Sequence, residues 1–160
     1  MPARELHLTS AGAEQTRAIA ALVARALRPG DVVALSGDLG AGKTAFVQGA
    51  AAALGVTARV TSPSFVLARK YAGDLDVLHV DVYRLNSIQE LIDLGYEEVF
   101  SPDHVLFIEW GDAVDVALPP ERLEVEITVA ADERRSIVLR GLDGWADRLD
   151  AIDVLEEAGR

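Results

Sequence analysis

Apolar runs and amphipathic segments alternate along the chain, and this pattern predicts strands that alternate with helices. The runs at 31–36, 77–81 and 105–109 are short, strongly apolar and partly β-branched, which is typical of strands buried in a parallel sheet. Residues 123–129 alternate apolar and polar positions, and the apolar segment 137–139 follows after an Asp-Glu-Arg turn. This pair predicts an antiparallel hairpin with one solvated face.

The other segments complete an α/β pattern. Ser10 is a suitable N-cap for a first helix, and Ser87-x-x-Glu90 is a capping box for a short helix that ends near Gly95. With 160 residues and no linker or repeat, the chain predicts a single domain over 1–160. The first helix is predicted at 11–27, and two more at 45–54 and 145–157. Further short strands are predicted at 6–8, 56–60 and 65–71.

The most informative segment joins a predicted strand to a predicted helix. Residues 37–44 fit the phosphate-binding pattern G-x-x-x-x-G-K-[ST]. Glycines let such a loop bend so that its N–H groups face phosphate oxygens, while the lysine reaches the β- and γ-phosphates and the hydroxyl holds Mg²⁺. A glycine-rich turn is the alternative, but the flanking strand and helix favour the loop. The predicted nucleotide-binding residues are Gly37, Asp38, Leu39, Gly40, Ala41, Gly42, Lys43 and Thr44.

These features predict the α/β fold of a P-loop NTPase, with a mainly parallel central sheet, an antiparallel edge hairpin and flanking helices. Hydrolysis also needs a carboxylate near Mg²⁺ and a group that orients water. The runs at 77–81 and 105–109 end in Asp81 and Glu109. Because parallel strands end at the same edge as the loop, both carboxylates are candidates, although either can instead be a surface acid that begins a loop.

A hydroxyl-rich segment, Thr61-Ser-Pro-Ser-Phe65, lies between two predicted strands. Its hydroxyl and N–H groups can sense a γ-phosphate, as switch loops do. An ordinary Ser-Pro turn explains the same residues equally well.

Four motifs in this order resemble the TsaE family, the small ATPase of bacterial tRNA threonylcarbamoyladenosine (t6A) biosynthesis. They are the octet 37–44, Thr61-Ser-Pro-Ser-Phe65, His79-Val-Asp-Val-Tyr-Arg84 and Glu109-Trp110. The resemblance covers almost the whole chain. It implies weak ATP hydrolysis with Mg²⁺ that resets a complex of the TsaD and TsaB proteins, while those partners modify adenosine 37 of tRNA.

The resemblance also implies residue roles. Lys43 would hold phosphates, Thr44 and Glu109 would hold Mg²⁺, and Asp81 would position or activate the attacking water. Glu14 and Arg134 are the nearest matches to residues that contact the nucleotide base. The switch or partner candidates are Thr61, Ser62, Ser64, His79, Tyr83, Arg84 and Trp110, of which Trp110 is equally well explained as a core residue.

The composition of the chain bears on which partners it can bind directly. The net charge is −11 and the chain has only two lysines, so we expect tRNA to be reached only through the partner complex. A local basic patch at Arg134, Arg135 and Arg140 is the one alternative. The chain has no cysteine, and its three histidines lack metal-ligand spacing. No apolar signal region follows the first residues, so we expect a cytoplasmic protein without a membrane partner.

Two other functions share the phosphate-binding loop. A small-molecule kinase usually brings several arginines on a lid, but only Arg84 lies near the motifs. A nucleotide-sensing switch would bind partners according to its nucleotide, with hydrolysis incidental. The chain has no Asn-Lys-x-Asp guanine-binding sequence, which favours ATP over GTP.

Overall fold

The fold is given by a computed structural model that describes residues 4–38, 40–62, 68–82, 93, 95–110, 118–141 and 144–158. Within these ranges the strands are β1 (Arg4–Ser10), β2 (Val32–Gly37), β3 (Ala68–Tyr71), β4 (Asp76–Val82), β5 (His104–Trp110), β6 (Leu123–Val129) and β7 (Arg135–Gly141). The helices are α1 (Ala13–Ala24), α2 (Lys43–Ala53), α3 (Tyr96–Val99) and α4 (Trp145–Ala158).

The seven described strands form one sheet in the order β1-β7-β6-β2-β5-β4-β3. Strand β2 pairs in parallel with both β5 and β6, and β4 pairs in parallel with β5. The β6–β7 hairpin is antiparallel, and β1 pairs antiparallel with β7 to complete that edge. Strand β3 adds an antiparallel pair at the opposite edge. The predicted α/β class, with a parallel centre and an antiparallel hairpin toward one edge, is confirmed.

Helix α1 begins later than the sequence predicts, and Ser10 is not its cap. The N-cap is Gly12, which makes no side-chain capping hydrogen bond. Ser10 ends β1 and is fully buried, and its hydroxyl lies 2.7 Å from both the Gly12 carbonyl and the Thr16 hydroxyl. The prediction was wrong because the pairing of β1 with β7 extends through Ser10 and keeps this residue in the sheet.

The predicted strand at 56–60 is absent from the described residues, although Val56 and Val60 have strand propensity. The Val56 N–H donates to the Ala51 carbonyl at the end of α2, and the Val60 carbonyl accepts from the Gln48 side chain. Both valines are buried in the core beside α2. Hydrogen bonds to α2 thus take the place of the strand-to-strand hydrogen bonds that a strand would make here. The short helix predicted between Ser87 and Gly95 lies mostly outside the described residues.

Two apolar clusters cover the two faces of the sheet. The larger joins the strands to α1, α2 and α4, and the smaller contains Val99 of α3. Helices α1 and α2 approach so closely at Gly49 that a Cβ on this residue would lie 2.2 Å from the Arg17 carbonyl oxygen. This contact holds the helix that follows the phosphate-binding loop against α1.

Ion pairs tie the outer elements to this core. Arg148 of α4 lies 2.6 Å from the Asp31 carboxylate, with both side chains largely buried, and stacks 4.2 Å above the Trp145 ring. At the exposed edge, the Arg140 guanidinium hydrogen-bonds Glu5 and lowers the pKa of that carboxyl. An exposed pair of this kind contributes little stability. In the described part of the chain, no helix has the length and apolarity needed to cross a membrane.

Candidate active site at the phosphate-binding loop

The loop between β2 and α2 has the backbone shape that its glycines allow. Gly37, Gly40 and Gly42 have φ angles of 137°, 79° and 113°, values that residues with a side chain rarely adopt. Gly42 is the N-cap of α2, so the helix begins at Lys43 as the motif requires. The described loop residues therefore present the amino end of a helix, where unpaired N–H groups favour an anion.

Gly37 also meets a packing requirement. It ends β2 beside β6, and a Cβ at this position would lie 2.0 Å from the Ile127 carbonyl oxygen. The loop can leave the sheet here only because residue 37 has no side chain. The first glycine of the motif thus serves the sheet as well as the turn.

The Lys43 side chain folds back across the loop. Its ammonium donates to the Gly37 carbonyl at 2.9 Å and is 3.4 Å from the Asp38 carbonyl. The Ala41 N–H donates to the Asp38 carbonyl at 3.0 Å and closes a turn inside the loop. The charge that is predicted to hold phosphates is therefore already placed over the loop.

Arg135, at the start of β7, contacts the loop from the antiparallel half of the sheet. Its Nε donates to the Ala41 carbonyl at 3.0 Å, and its guanidinium also hydrogen-bonds the Glu133 carbonyl. Arg134, the residue singled out from the sequence, is exposed and pairs with Asp132 at 3.5 Å. Sequence reasoning missed Arg135 because spacing gave no sign of which hairpin arginine points toward the loop.

Arg135→Ala removes the hydrogen bond to the Ala41 carbonyl of the loop. We expect this loss to weaken nucleotide binding about fivefold, because one net hydrogen bond contributes about 1 kcal/mol. Titration of a fluorescent ATP analogue measures the effect. Arg134→Ala removes the same side chain from the adjacent position and serves as the matched control for the contact with Ala41. A larger loss with Arg134→Ala than with Arg135→Ala would instead support base contact by Arg134.

The two candidate carboxylates lie on neighbouring parallel strands. Asp81 of β4 is in register with Glu109 of β5, which is in register with Leu35 of β2, two residues before Gly37. Residues in register share a face of the sheet, and here that face carries α2. The sheet therefore brings Asp81 and Glu109 side by side below the loop. Asp81 is half-buried and Glu109 is only 5% exposed.

Glu109 has a buried hydrogen-bond partner. His79 lies two residues before Asp81 and is fully buried, and its Nε2 is 2.5 Å from Glu109 Oε2. The resemblance places His79 in a switch or partner segment, and that role stays a prediction; in the structure the His79 side chain is fully buried on a face of the sheet. Sequence reasoning missed this contact because it depends on the register of β4 and β5, which are neighbours in the sheet but well separated in sequence.

Three of the remaining candidates are exposed in the structure. Thr61 and Ser62 are exposed, and the Thr61 N–H donates to the Tyr71 hydroxyl at 3.3 Å. Glu14 is exposed in the first turn of α1, and its contact with the base stays a prediction. Outside the described residues lie Leu39, Ser64, Tyr83, Arg84 and the side chain of Trp110.

The donor set near the loop suits a cation that phosphate helps to hold. Among the described residues, no group of three or more His, Asp or Glu side chains could hold a metal alone. Thr44, half-buried in the first turn of α2, and Glu109 offer only oxygen. Mg²⁺ prefers oxygen and is commonly bound by one or two protein ligands plus substrate phosphates. The residues present therefore fit Mg²⁺ bound together with a nucleotide.

Most of the chain is similar to proteins of one known family. The family model described as "Threonylcarbamoyl adenosine biosynthesis protein TsaE" matches residues 10–137. The chain is 43% identical over 135 residues to the tRNA threonylcarbamoyladenosine biosynthesis protein TsaE of Bacillus subtilis, covering 84% of each chain. The protein of the same name from Treponema pallidum is 40% identical over 134 residues, which cover 84% of this chain and 99% of that relative.

A solved structure is similar as well. The crystal structure of Bacillus subtilis YdiB matches with a TM-score of 0.83 and 35% sequence identity, covering 98% of this chain and 99% of that one. The family match includes the phosphate-binding loop and both carboxylate-bearing strands. The chain therefore belongs to the TsaE family.

Proposed function

We propose that this protein binds and hydrolyses ATP with Mg²⁺ and thereby supports threonylcarbamoylation of adenosine 37 in tRNA. Its family supports a place in t6A biosynthesis. One observation carries the ATPase part of the proposal. The parallel strands β2, β4 and β5 end at one edge of the sheet, and this edge carries the phosphate-binding loop, Asp81 and Glu109.

Phosphate binding falls to the loop and the start of α2. Backbone N–H groups of 37–44 would surround the phosphates, and Lys43 would exchange its loop carbonyls for β- and γ-phosphate oxygens. Thr44 and Glu109 would hold Mg²⁺. When bound, Mg²⁺ supplies positive charge that neutralises the β- and γ-phosphate oxygens.

Asp81 is the better candidate for the water-positioning group. It is half-buried and so more open to a water, whereas Glu109 is almost fully buried. In the proposed step, Asp81 orients a water so that its oxygen attacks the γ-phosphorus, and it receives the proton as the bond to ADP breaks. The products are ADP and inorganic phosphate.

The surface charge supports an indirect route to tRNA. With a net charge of −11, the protein has little general attraction for phosphates. Each arginine of the alternative basic patch already contacts an acceptor on this same protein. Arg134 pairs with Asp132, Arg135 with the Ala41 carbonyl and Arg140 with Glu5. We therefore infer that TsaD and TsaB connect this ATPase to tRNA, and that its hydrolysis resets their complex between turnovers.

The test is ATP hydrolysis measured with and without TsaD, TsaB and tRNA, in parallel with t6A formation over several turnovers. We expect slow hydrolysis by the protein alone, faster hydrolysis with the partners, and multiple-turnover modification only when active protein is present. Lys43→Ala is the inactive control, because it removes the phosphate-binding charge without touching the sheet.

Three results would contradict this function. Undiminished multiple-turnover modification with Lys43→Ala would show that ATP binding is dispensable. Transfer of phosphate to a small acceptor in preference to water would indicate a kinase. A tight complex of the isolated protein with tRNA at physiological salt would overturn the indirect role.

A further inference from the structure

His79 and Glu109 form a buried polar pair on the face of the sheet that carries α2. His79 has no solvent exposure and Glu109 has 5%, and their side chains meet at 2.5 Å. The imidazole has apolar neighbours, since Val77 precedes on the same face of β4 and Phe107 is in register with His79 on β5, whereas Asp81 lies beside Glu109. An apolar residue at position 79 would fit this environment without the cost of burying an imidazole.

The hydrogen bond to Glu109 is what satisfies the buried ring. Among the described residues, His79 Nδ1 is buried and has no hydrogen-bond partner. A proton on Nε2 fits this contact, because Nε2–H then donates to the Glu109 carboxylate, which accepts. The ring is thus oriented by one polar contact, and that contact is with the carboxylate.

The contact also fixes the carboxylate. A glutamate at a strand end has rotamers that lead away from the site, and a hydrogen bond to one oxygen selects among them. The bond engages Oε2 and leaves the lone pairs of Oε1 for another ligand. Carboxylates and histidines that ligate metals are commonly held by such outer partners, whose loss costs about 10- to 100-fold in metal affinity or activity.

We propose that His79 is a positioning residue that holds the Glu109 carboxylate ready for Mg²⁺ bound with the nucleotide. This inference rests on the proposed function, because it needs Glu109 to be a Mg²⁺ ligand. It assigns His79 a role inside the site rather than on a partner surface. The role is indirect, because His79 would act through its hydrogen bond to the Glu109 carboxylate.

Two amide substitutions separate positioning from packing. In His79→Gln the side-chain nitrogen can reach the place of Nε2, so the bond to Glu109 can be kept. In His79→Asn the amide reaches only as far as Nδ1, so the bond is lost. Both variants bury an amide in the same environment. The measurement is binding of a fluorescent ATP analogue as Mg²⁺ is titrated from zero in chelator-treated buffer, with thermal unfolding as a check on folding.

We expect His79→Asn to raise the Mg²⁺ concentration for half-maximal binding about tenfold, and His79→Gln to stay within about threefold of the unsubstituted protein. Nucleotide binding without Mg²⁺ should be the same in all three. In a Glu109→Gln background, adding His79→Asn should change the Mg²⁺ dependence no further, because the residue through which His79 acts is already altered.

Other results would overturn the inference. Equal Mg²⁺ dependence in His79→Asn and His79→Gln, or loss of folding in both, would mean that His79 only packs. A full effect of His79→Asn in the Glu109→Gln background would mean that it acts elsewhere. These outcomes leave the proposed function standing, whereas binding by the unsubstituted protein that ignores Mg²⁺ would overturn both.

Discussion

Asp81→Asn is expected to lower the rate of ATP hydrolysis about 100-fold or more while ATP still binds. The amide keeps the shape of the carboxylate but cannot accept the proton of the attacking water, and such groups contribute about 10²- to 10⁴-fold. Asp81 is half-buried on the face that carries the loop, so the change leaves the apolar core intact. Single-turnover hydrolysis and equilibrium binding of the same nucleotide measure the two effects separately.

The comparison with Lys43→Ala makes this result specific. Lys43→Ala should weaken binding itself, whereas Asp81→Asn should affect only the chemical step. If Asp81→Asn hydrolyses ATP at the unsubstituted rate, Asp81 does not handle the water, and Glu109 becomes the candidate. If Asp81→Asn is inactive but supports full t6A formation, the protein acts as a nucleotide-sensing switch rather than through hydrolysis.

Gly49→Ser is expected to destabilise the protein by about 3 kcal/mol, the upper end of the usual cost of overpacking a core. The added Cβ would lie 2.2 Å from the Arg17 carbonyl oxygen and 2.5 Å from its Cα. Backbone atoms cannot turn aside as a flexible side chain can, so α1 and α2 must separate. Thermal unfolding should show a decrease of about 8 °C in Tm for a chain of this size.

Gly12→Ser is the matched control for this change. Gly12 has no atom within 4 Å of its added Cβ and is the N-cap of α1, a position where serine is favoured. The same substitution should therefore leave the Tm unchanged or slightly higher. Equal losses at positions 12 and 49 would mean that the helix contact is softer than its geometry implies.

The parts of the fold that could be predicted are those in which local pattern and global role agree. The run 105–108 is apolar throughout because β5 is covered on both faces, and this pattern is readable from sequence alone. The predicted strand at 56–60 was wrong because β-branched residues only favour a strand. At Val56 and Val60 the backbone instead hydrogen-bonds to residues of α2. Ser10 misled for a similar reason, since its pairing with β7 outweighed capping.

In the candidate site, too, the local features could be predicted from the sequence and the long-range contacts could not. The loop is local, and its spacing alone identified Lys43 and Thr44, which lie in the first turn of α2. The contacts of Arg135 with Ala41 and of His79 with Glu109 join residues 94 and 30 positions apart. Such contacts follow from strand order and register, which no short motif encodes. The roles of Asp81 and Glu109 stay predictions, although the register places the two residues side by side.

The position of the Lys43 ammonium has an energetic consequence. Its hydrogen bonds are made to carbonyls of its own loop, so a phosphate that takes the ammonium must displace them. Association is then an exchange of partners, and the affinity reflects a difference between two sets of contacts rather than the full strength of either. A loop built this way can hold its shape before a ligand binds, and the smaller net gain on binding favours release of nucleotide, which suits the proposed cycle of ATP binding and hydrolysis.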